Sequence, residues 1–400
     1  MGKNIKSYIK NIQDDFGYAS QITVEHRSNN PKRDFLFCNR IQGKHIPASP
    51  IQINTMVEDL VKQIKPRIEG YKVAVVGFAE TATCLGNIVA EKLNCSYVMQ
   101  TTREDCSPHR QLIEFEEEHS HATEQKLYGK LHKLSYADYI LFVEDEISTG
   151  KTILNFIDKF KQLKPGLKYG VASICNWQTP ENRQKFADRN IDVFALVLGE
   201  IADINAKMDT DILSSEDKRG GTSEKENYNI AITDIKAASL TAPTIKKPLL
   251  HFLYERTGHK YNDVYYKVLE INIARHFHFL EDKTGSVLVL GTEEFMYIPY
   301  RVGMYLSSTH KDVKVHATTR SSIDIMKDPD EPGLNSKFSL HSAYDTDRNT
   351  YVYNLDKYDQ VLVITDSKND EALQLFINDI THALNSVGNR NKHIHIFRIL

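Results

Sequence analysis

One segment constrains this chain more than any other: YILFVEDEISTGKT, residues 139–152. An apolar, β-branched run ends in acids, passes through Ser148-Thr149-Gly150 and opens into an amphipathic pattern over 150–164. That is a strand, a tight turn and a helix. Further apolar runs at 72–78, 96–100, 169–176 and 191–199, with helical patterns between them, predict an α/β fold. Such alternation builds a Rossmann-like parallel sheet with helices on both faces. Ligands of such sheets sit beyond the carboxyl ends of the strands, where 144–152 lies.

The chemistry of the segment follows from its residue types. A phosphate needs several N–H donors converging on it, and a helix N-terminus supplies them with a favourable dipole. Gly150 allows a tight turn and close backbone approach, and Ser148, Thr149 and Thr152 add hydroxyls. Glu144 and Asp145 can accept hydrogen bonds from a pair of vicinal sugar hydroxyls. Together the groups describe a ribose 5-phosphate site. A nucleoside-triphosphate P-loop is excluded, because the first glycine of GxxxxGK[ST] falls at position 145, which is Asp. The plainer alternative, a strand–turn–helix with solvated acids, leaves the segment as a whole unexplained.

The chain repeats its landmarks. VAVVGFAE (73–80) matches VLVLGTEE (287–294), and Thr101-Thr102-Arg103 matches Thr318-Thr319-Arg320. YILFVEDEISTGKT falls opposite DQVLVITDSKNDEAL, with Asp145 against Asp366. Ordered matching predicts a duplicated chain with a degenerate second copy. Two unrelated α/β domains sharing strand–Gly turns are the alternative. The 400 residues exceed one ordinary core. The expected division is a first domain over 1–200, a polar linker or excursion over 201–250, and a second α/β domain over 251–400, with a helix at about 261–281.

Composition narrows the partners. Fifty basic and 53 acidic side chains give a net charge of −3, with no basic excess for nucleic acid or an anionic membrane. The apolar runs are too short for a transmembrane helix, and the N-terminus lacks the apolar core of a secretory signal. Five cysteines without a CxxC pair read as reduced thiols in a cytoplasm. HFH (276–278) and HIH (393–395) lack a nearby third ligand and read as packing or surface histidines.

Residues 139–152 closely resemble the signature of type I phosphoribosyltransferases for 5-phosphoribosyl-1-pyrophosphate (PRPP). More narrowly, the chain resembles a bacterial group in which an orotate-phosphoribosyltransferase-like domain precedes a TRSP domain. The matching segments are NPKRDFLFCNRIQGKHIP (30–47), GFAETATCLG (77–86), TTRE (101–104), FEEEHSHAT (115–123), VEDEISTGKT (143–152), LGTEEFMYIPYRVG (290–303) and TTRSS (318–322). Ser322 replaces the proline that names the second domain. The resemblance implies a Mg²⁺-dependent transferase that binds the ribose hydroxyls of PRPP through Glu144 and Asp145. Ser148, Thr149, Gly150, Lys151 and Thr152 would hold the 5-phosphate, and Mg²⁺ would be bound mainly through PRPP. It places a pyrophosphate loop at Gly77, Phe78, Ala79, Glu80 and Thr81. A mobile catalytic segment would lie between Arg103 and the PRPP loop, with Glu118, His119 and His121 as candidates beside Arg103. Arg103 could bind pyrophosphate bidentately, or make a structural salt bridge. The two histidines could equally order the loop. Lys44 and His45 are candidates for a hood over the base. Partners implied are PRPP and a base-like small-molecule acceptor, with homodimerisation open, in a stress or tellurium-resistance setting. A PRPP-sensing or scaffolding protein without turnover is the alternative.

Overall fold

The computed structural model describes residues 5–27, 33–106, 111–116, 124–129, 134, 136–203, 228–235, 256, 258, 263–280, 285–325, 332–389, 391 and 393–400. Two sheets organise them. The first has eight strands in the order β1-β10-β9-β8-β4-β5-β7-β6. These are β1 (Ile9–Gln13), β4 (Val73–Gly77), β5 (Tyr97–Thr102), β6 (Gln111–Glu116), β7 (Glu124–Tyr128), β8 (Tyr139–Ile147), β9 (Lys168–Asn176) and β10 (Ile191–Ile201). Its middle, β10-β9-β8-β4-β5, is parallel, and β1, β7 and β6 add antiparallel edges. A separate hairpin, β2 (Ile22–His26) with β3 (Phe35–Asn39), stands before helix α1 (Pro50–Ile68).

The second sheet runs β11-β17-β16-β12-β13, all parallel. Its strands are β11 (Asn229–Ile235), β12 (Ser286–Gly291), β13 (Asp312–Ala317), β16 (Gln360–Thr365) and β17 (His393–Ile399). The run β9-β8-β4-β5 therefore recurs in the same order as β17-β16-β12-β13. Between β5 and β8 lies the antiparallel hairpin β6–β7; between β13 and β16 lies β14 (Lys337–His341) with β15 (Asn349–Tyr353). The helices recur as well. In the first unit they are α1, α2 (Ala82–Leu93) and α3 (Lys151–Leu163), followed by α4 (Pro180–Ala187) between β9 and β10. In the second they are α5 (Asp263–Phe277), α6 (Tyr297–Leu306) and α7 (Asp370–Ser386).

One expectation changes. The stretch 201–250 contributes β11, which pairs in register with β17 at the far end of the chain. HFH (276–278) falls on the end of α5 and a short 3-10 turn.

Helix α1 begins with Pro50 at its first turn, where a missing N–H costs nothing. Its apolar residues Ile53, Met56, Val57, Leu60, Val61 and Ile64 recur at helical spacing and are buried. Strand β4, VAVVG, is buried throughout, as a central parallel strand must be. Helix α2 comes so close to it that a Cβ on Gly86 would lie 2.8 Å from the Gly77 Cα. The faces of α1 and α2 pack on α6 and share one apolar core with it, reaching Tyr297, Ile298, Val302, Val313 and Val315 of the second unit. A second core lies under α3 and a third under α7. The layers thus run helix, sheet, helices, sheet, helix. Backbone bonds also cross between the units: Ala48 N–H donates to Val315 O (3.0 Å) and Val315 N–H to Ala48 O (2.8 Å). No described helix is long and apolar enough to cross a membrane.

Candidate active site

Strand β8 carries Glu144 and Asp145 to the carboxyl edge of the first sheet, both half-buried. Val143 packs in the core shared with α1 and α2, whereas Ile147 packs in the core under α3. Ser148, Thr149 and Thr152 are half-buried, and Lys151 is exposed at the start of α3. Gly150 is the N-cap of α3, with φ +74°, and Thr149 Oγ1 accepts from the Lys151 N–H at 3.3 Å.

Gly150 has a second reason to be glycine. A Cβ there would lie 2.5 Å from the Phe186 ring and 2.7 Å from Gln178 Nε2. Gln178 is fully buried, and its Nε2 donates to the Thr149 carbonyl at 3.2 Å. It supports the loop from behind, and no motif points to it. Glu146, third acid of the triplet, pairs with Arg33 at 2.9 Å. Burial pushes its carboxyl pKa up, and Arg33 opposes that shift. Arg33 lies over the rings of Phe35 and Phe37, 4.6 and 5.2 Å from their centroids, and Phe37 packs on the buried Trp177. The β2–β3 hairpin is thereby fastened to the acidic end of β8.

The expected pyrophosphate loop lies one strand away and is nearly buried. Ala79 N–H donates to Thr101 Oγ1 (2.8 Å), and Gln125 Nε2 donates to the Ala79 carbonyl (2.9 Å). The Glu80 carboxylate faces the second unit. Lys44 Nζ meets it at 2.5 Å, and Arg103 Nη1 lies at 3.5 Å. Burial raises the Glu80 pKa, but Lys44, Arg103 and Arg320 outweigh it and hold the carboxyl at about 2.

Lys44 is not part of a hood. It is 1% exposed, and it also donates to the carbonyls of Glu293 (2.6 Å) and Thr318 (2.8 Å). It is a strut between the units. His45 beside it is buried too. Sequence reasoning missed this role because the lysine's acceptors lie about 250 residues downstream. Arg103 lies at the end of β5 next to Glu80, and so joins the pyrophosphate-loop side of the strand ends. Glu118, His119 and His121 lie outside the described residues.

In the second unit the corresponding edge is taken up by the chain itself. Asp366, opposite Asp145, accepts from Tyr344 Oη at 2.7 Å and from Arg256 Nη1. Asn369 caps α7 by accepting from Ala372 N–H (3.1 Å), with Asp370 and Glu371 in the first turn. A cavity of about 680 Å³ lies away from this site, at the amino ends of β4 and β5, where Lys65, Tyr71, Lys72, Asn94 and Ser96 help to line it.

A family model described as "Phosphoribosyl transferase" matches residues 22–200. A second, "TRSP domain C terminus to PRTase_2", matches residues 255–381. No curated relative matches the chain. Among solved structures, an adenine phosphoribosyltransferase from Rhodothermus marinus is 16% identical over 45% of this chain and 95% of its own, with a TM-score of 0.34. The adenine phosphoribosyl transferase of Trypanosoma brucei, solved with AMP, pyrophosphate and ribose-5-phosphate, is 15% identical over 44% and 75%, at a TM-score of 0.32. An orotate phosphoribosyltransferase from Aeropyrum pernix is 12% identical over 36% and 71%, at 0.25. Identities and scores this low carry no argument of their own. The two family matches take in most of the chain between them, and by them the protein is a phosphoribosyltransferase-family domain followed by a TRSP domain.

Proposed function

We propose that the first domain transfers the phosphoribosyl group of PRPP to a nitrogen of a base-like acceptor, or runs the reverse pyrophosphorolysis. The observation that carries this reading is the grouping of two strand-end carboxylates with a glycine-turned, hydroxyl-rich helix start. Glu144 and Asp145 accept from the ribose hydroxyls; Ser148, Thr149, Gly150, Lys151 and Thr152 hold the 5-phosphate. With both ends of the sugar fixed, pyrophosphate leaves the anomeric carbon and positive charge develops on the ring, as in glycoside cleavage. The acceptor nitrogen then closes on the opposite face. Little covalent chemistry falls to the protein, so positioning and exclusion of water dominate. Arg103 stabilises the departing pyrophosphate, and the segment holding Glu118, His119 and His121 closes over the centre. The half-exposed carboxylates of Glu144 and Asp145 are hard oxygen donors that suit Mg²⁺. Bound with PRPP, Mg²⁺ would neutralise charge on the leaving group.

All five cysteines are free thiols, which fits a cytoplasmic setting. A place in stress-related biosynthesis rests on the family resemblance. One observation favours the non-catalytic alternative: the backbone groups of Ala79 and the carboxylate of Glu80 are already engaged by the protein. The deciding experiment incubates the protein with PRPP, Mg²⁺ and a panel of bases and follows the products by mass spectrometry. A ribosylated product and free pyrophosphate are expected. PRPP binding without any product would leave a sensor, and no PRPP binding would remove both readings.

A further inference from the structure

The two units exchange carboxylates. In the first, Ala79 N–H donates to Thr101 Oγ1; in the second, Glu293 N–H donates to Thr318 Oγ1 at 3.0 Å. The next residue in each loop then crosses to the other unit. Glu294 accepts from Arg103 N–H (2.9 Å) and Thr102 Oγ1 (2.5 Å). Glu80 accepts from Arg320 N–H at 3.3 and 3.4 Å. Each unit's TTR segment is thus held by the other unit's glutamate. Thr83 Oγ1, at the start of α2, also donates to the Glu294 carbonyl at 2.9 Å.

We infer that Glu294, although it belongs to the second domain, is a positioning residue for the first domain's site. Its carboxylate is fully buried, and it also faces Arg256 Nε at 3.3 Å and Arg320 Nη2 at 3.9 Å. A buried charge is costly unless its neighbours satisfy it, and an apolar contact would hold the two units together at lower cost. Apolar contact is already abundant around it, through Tyr297, Ile298 and Val315. What the carboxylate adds is register. It fixes the last residue of β5 and the backbone of Arg103, whose guanidinium reaches toward Glu80. The cation facing the leaving group is therefore set from both domains, its main chain by Glu294 and its side chain by Glu80.

This inference rests on the proposed assignment of Arg103 to pyrophosphate and of 144–152 to ribose 5-phosphate. Titrating the full chain calorimetrically with Mg²⁺-pyrophosphate and, separately, with ribose 5-phosphate tests it. Glu294→Gln keeps the size and removes the charge. It should weaken pyrophosphate binding by about tenfold, the scale of a lost charged hydrogen bond, and leave ribose 5-phosphate binding unchanged. Thr102→Val, which removes one hydroxyl and keeps the shape, should act in the same direction by about threefold, and it serves where the Glu294 variant fails to fold. Asp379→Asn, which removes the charge paired with His341 between α7 and β14, should change neither affinity. Unaltered pyrophosphate binding in the Glu294 and Thr102 variants, or equal weakening of both ligands, overturns the inference. If the unmodified protein binds no ribose 5-phosphate, the proposed function itself fails, and with it this inference.

Discussion

Gly150 and Asp145 stand at neighbouring corners of the site and respond to different physics. Gly150→Ala meets two penalties. The left-handed backbone costs roughly 1–2 kcal/mol for a residue with a Cβ, and contact with Phe186 and Gln178 adds overpacking, typically 1–3 kcal/mol. A denaturant titration should show a loss of about 2–5 kcal/mol from those terms together; unchanged stability would mean the loop does not hold this geometry. Asp145→Asn leaves the backbone alone. It should weaken PRPP binding by about 1–3 kcal/mol, the scale of a lost charged hydrogen bond, and calorimetry reads that directly. Equal PRPP affinity would sink the diol assignment. The acids and the phosphate loop were legible because a local motif carries them. Gln178, Arg33 and Lys44 were not, because their partners are brought in by the fold: Thr149 across a strand, Glu146 across the hairpin, and Glu293 and Thr318 from the other unit.

At the scale of elements, the strands that announced themselves were the buried parallel ones. VAVVG, YILFV, VLVLG and VLVIT read as continuous apolar runs because both faces are covered. Strand β11 was hidden: it is largely exposed and paired with a strand more than 150 residues away. The β6–β7 hairpin was equally hidden, since its polar sequence was read only as a loop. Glu118, His119 and His121 fall between its two strands in sequence. If the segment that holds them closes over the reaction centre, His119→Ala or His121→Ala should lower turnover much more than PRPP affinity, because the contacts matter in the transition state. Steady-state kinetics beside a binding titration would show it. Wild-type turnover in both variants would remove the hairpin from the mechanism.

Over the whole molecule, the interface between the units sets the response to acid. His45 and His316 are buried there as neutral rings. Burial, reinforced by Lys44, holds His45 at about 3. Burial lowers His316 to about 4, against a hydrogen bond to the Tyr353 carbonyl. In the unfolded chain both take up a proton near the ordinary value of 6.5. Their contribution to stability is therefore complete above pH 6.5 and shrinks as the pH falls from there toward 4. Each proton costs about 1.4 kcal/mol per pH unit. Melting temperatures should decline over this window, and replacing either histidine with Gln should flatten the decline; an unchanged slope would contradict their burial. A second expectation concerns stoichiometry. With Asp366 held by Arg256 and Tyr344, and α7 capped by Asn369, the full chain should bind one PRPP. A calorimetric value of two would refute it. The crossed glutamates also bear on how such a chain can change over generations. In an assembly of two identical subunits, any substitution is made twice, once on each side of the axis. Here the two sides are written separately in one polypeptide. One half can hold Thr365 and Asn369 where the other holds Glu144 and Ser148, while each still leans, through Glu80 and Glu294, on a neighbour of nearly its own shape.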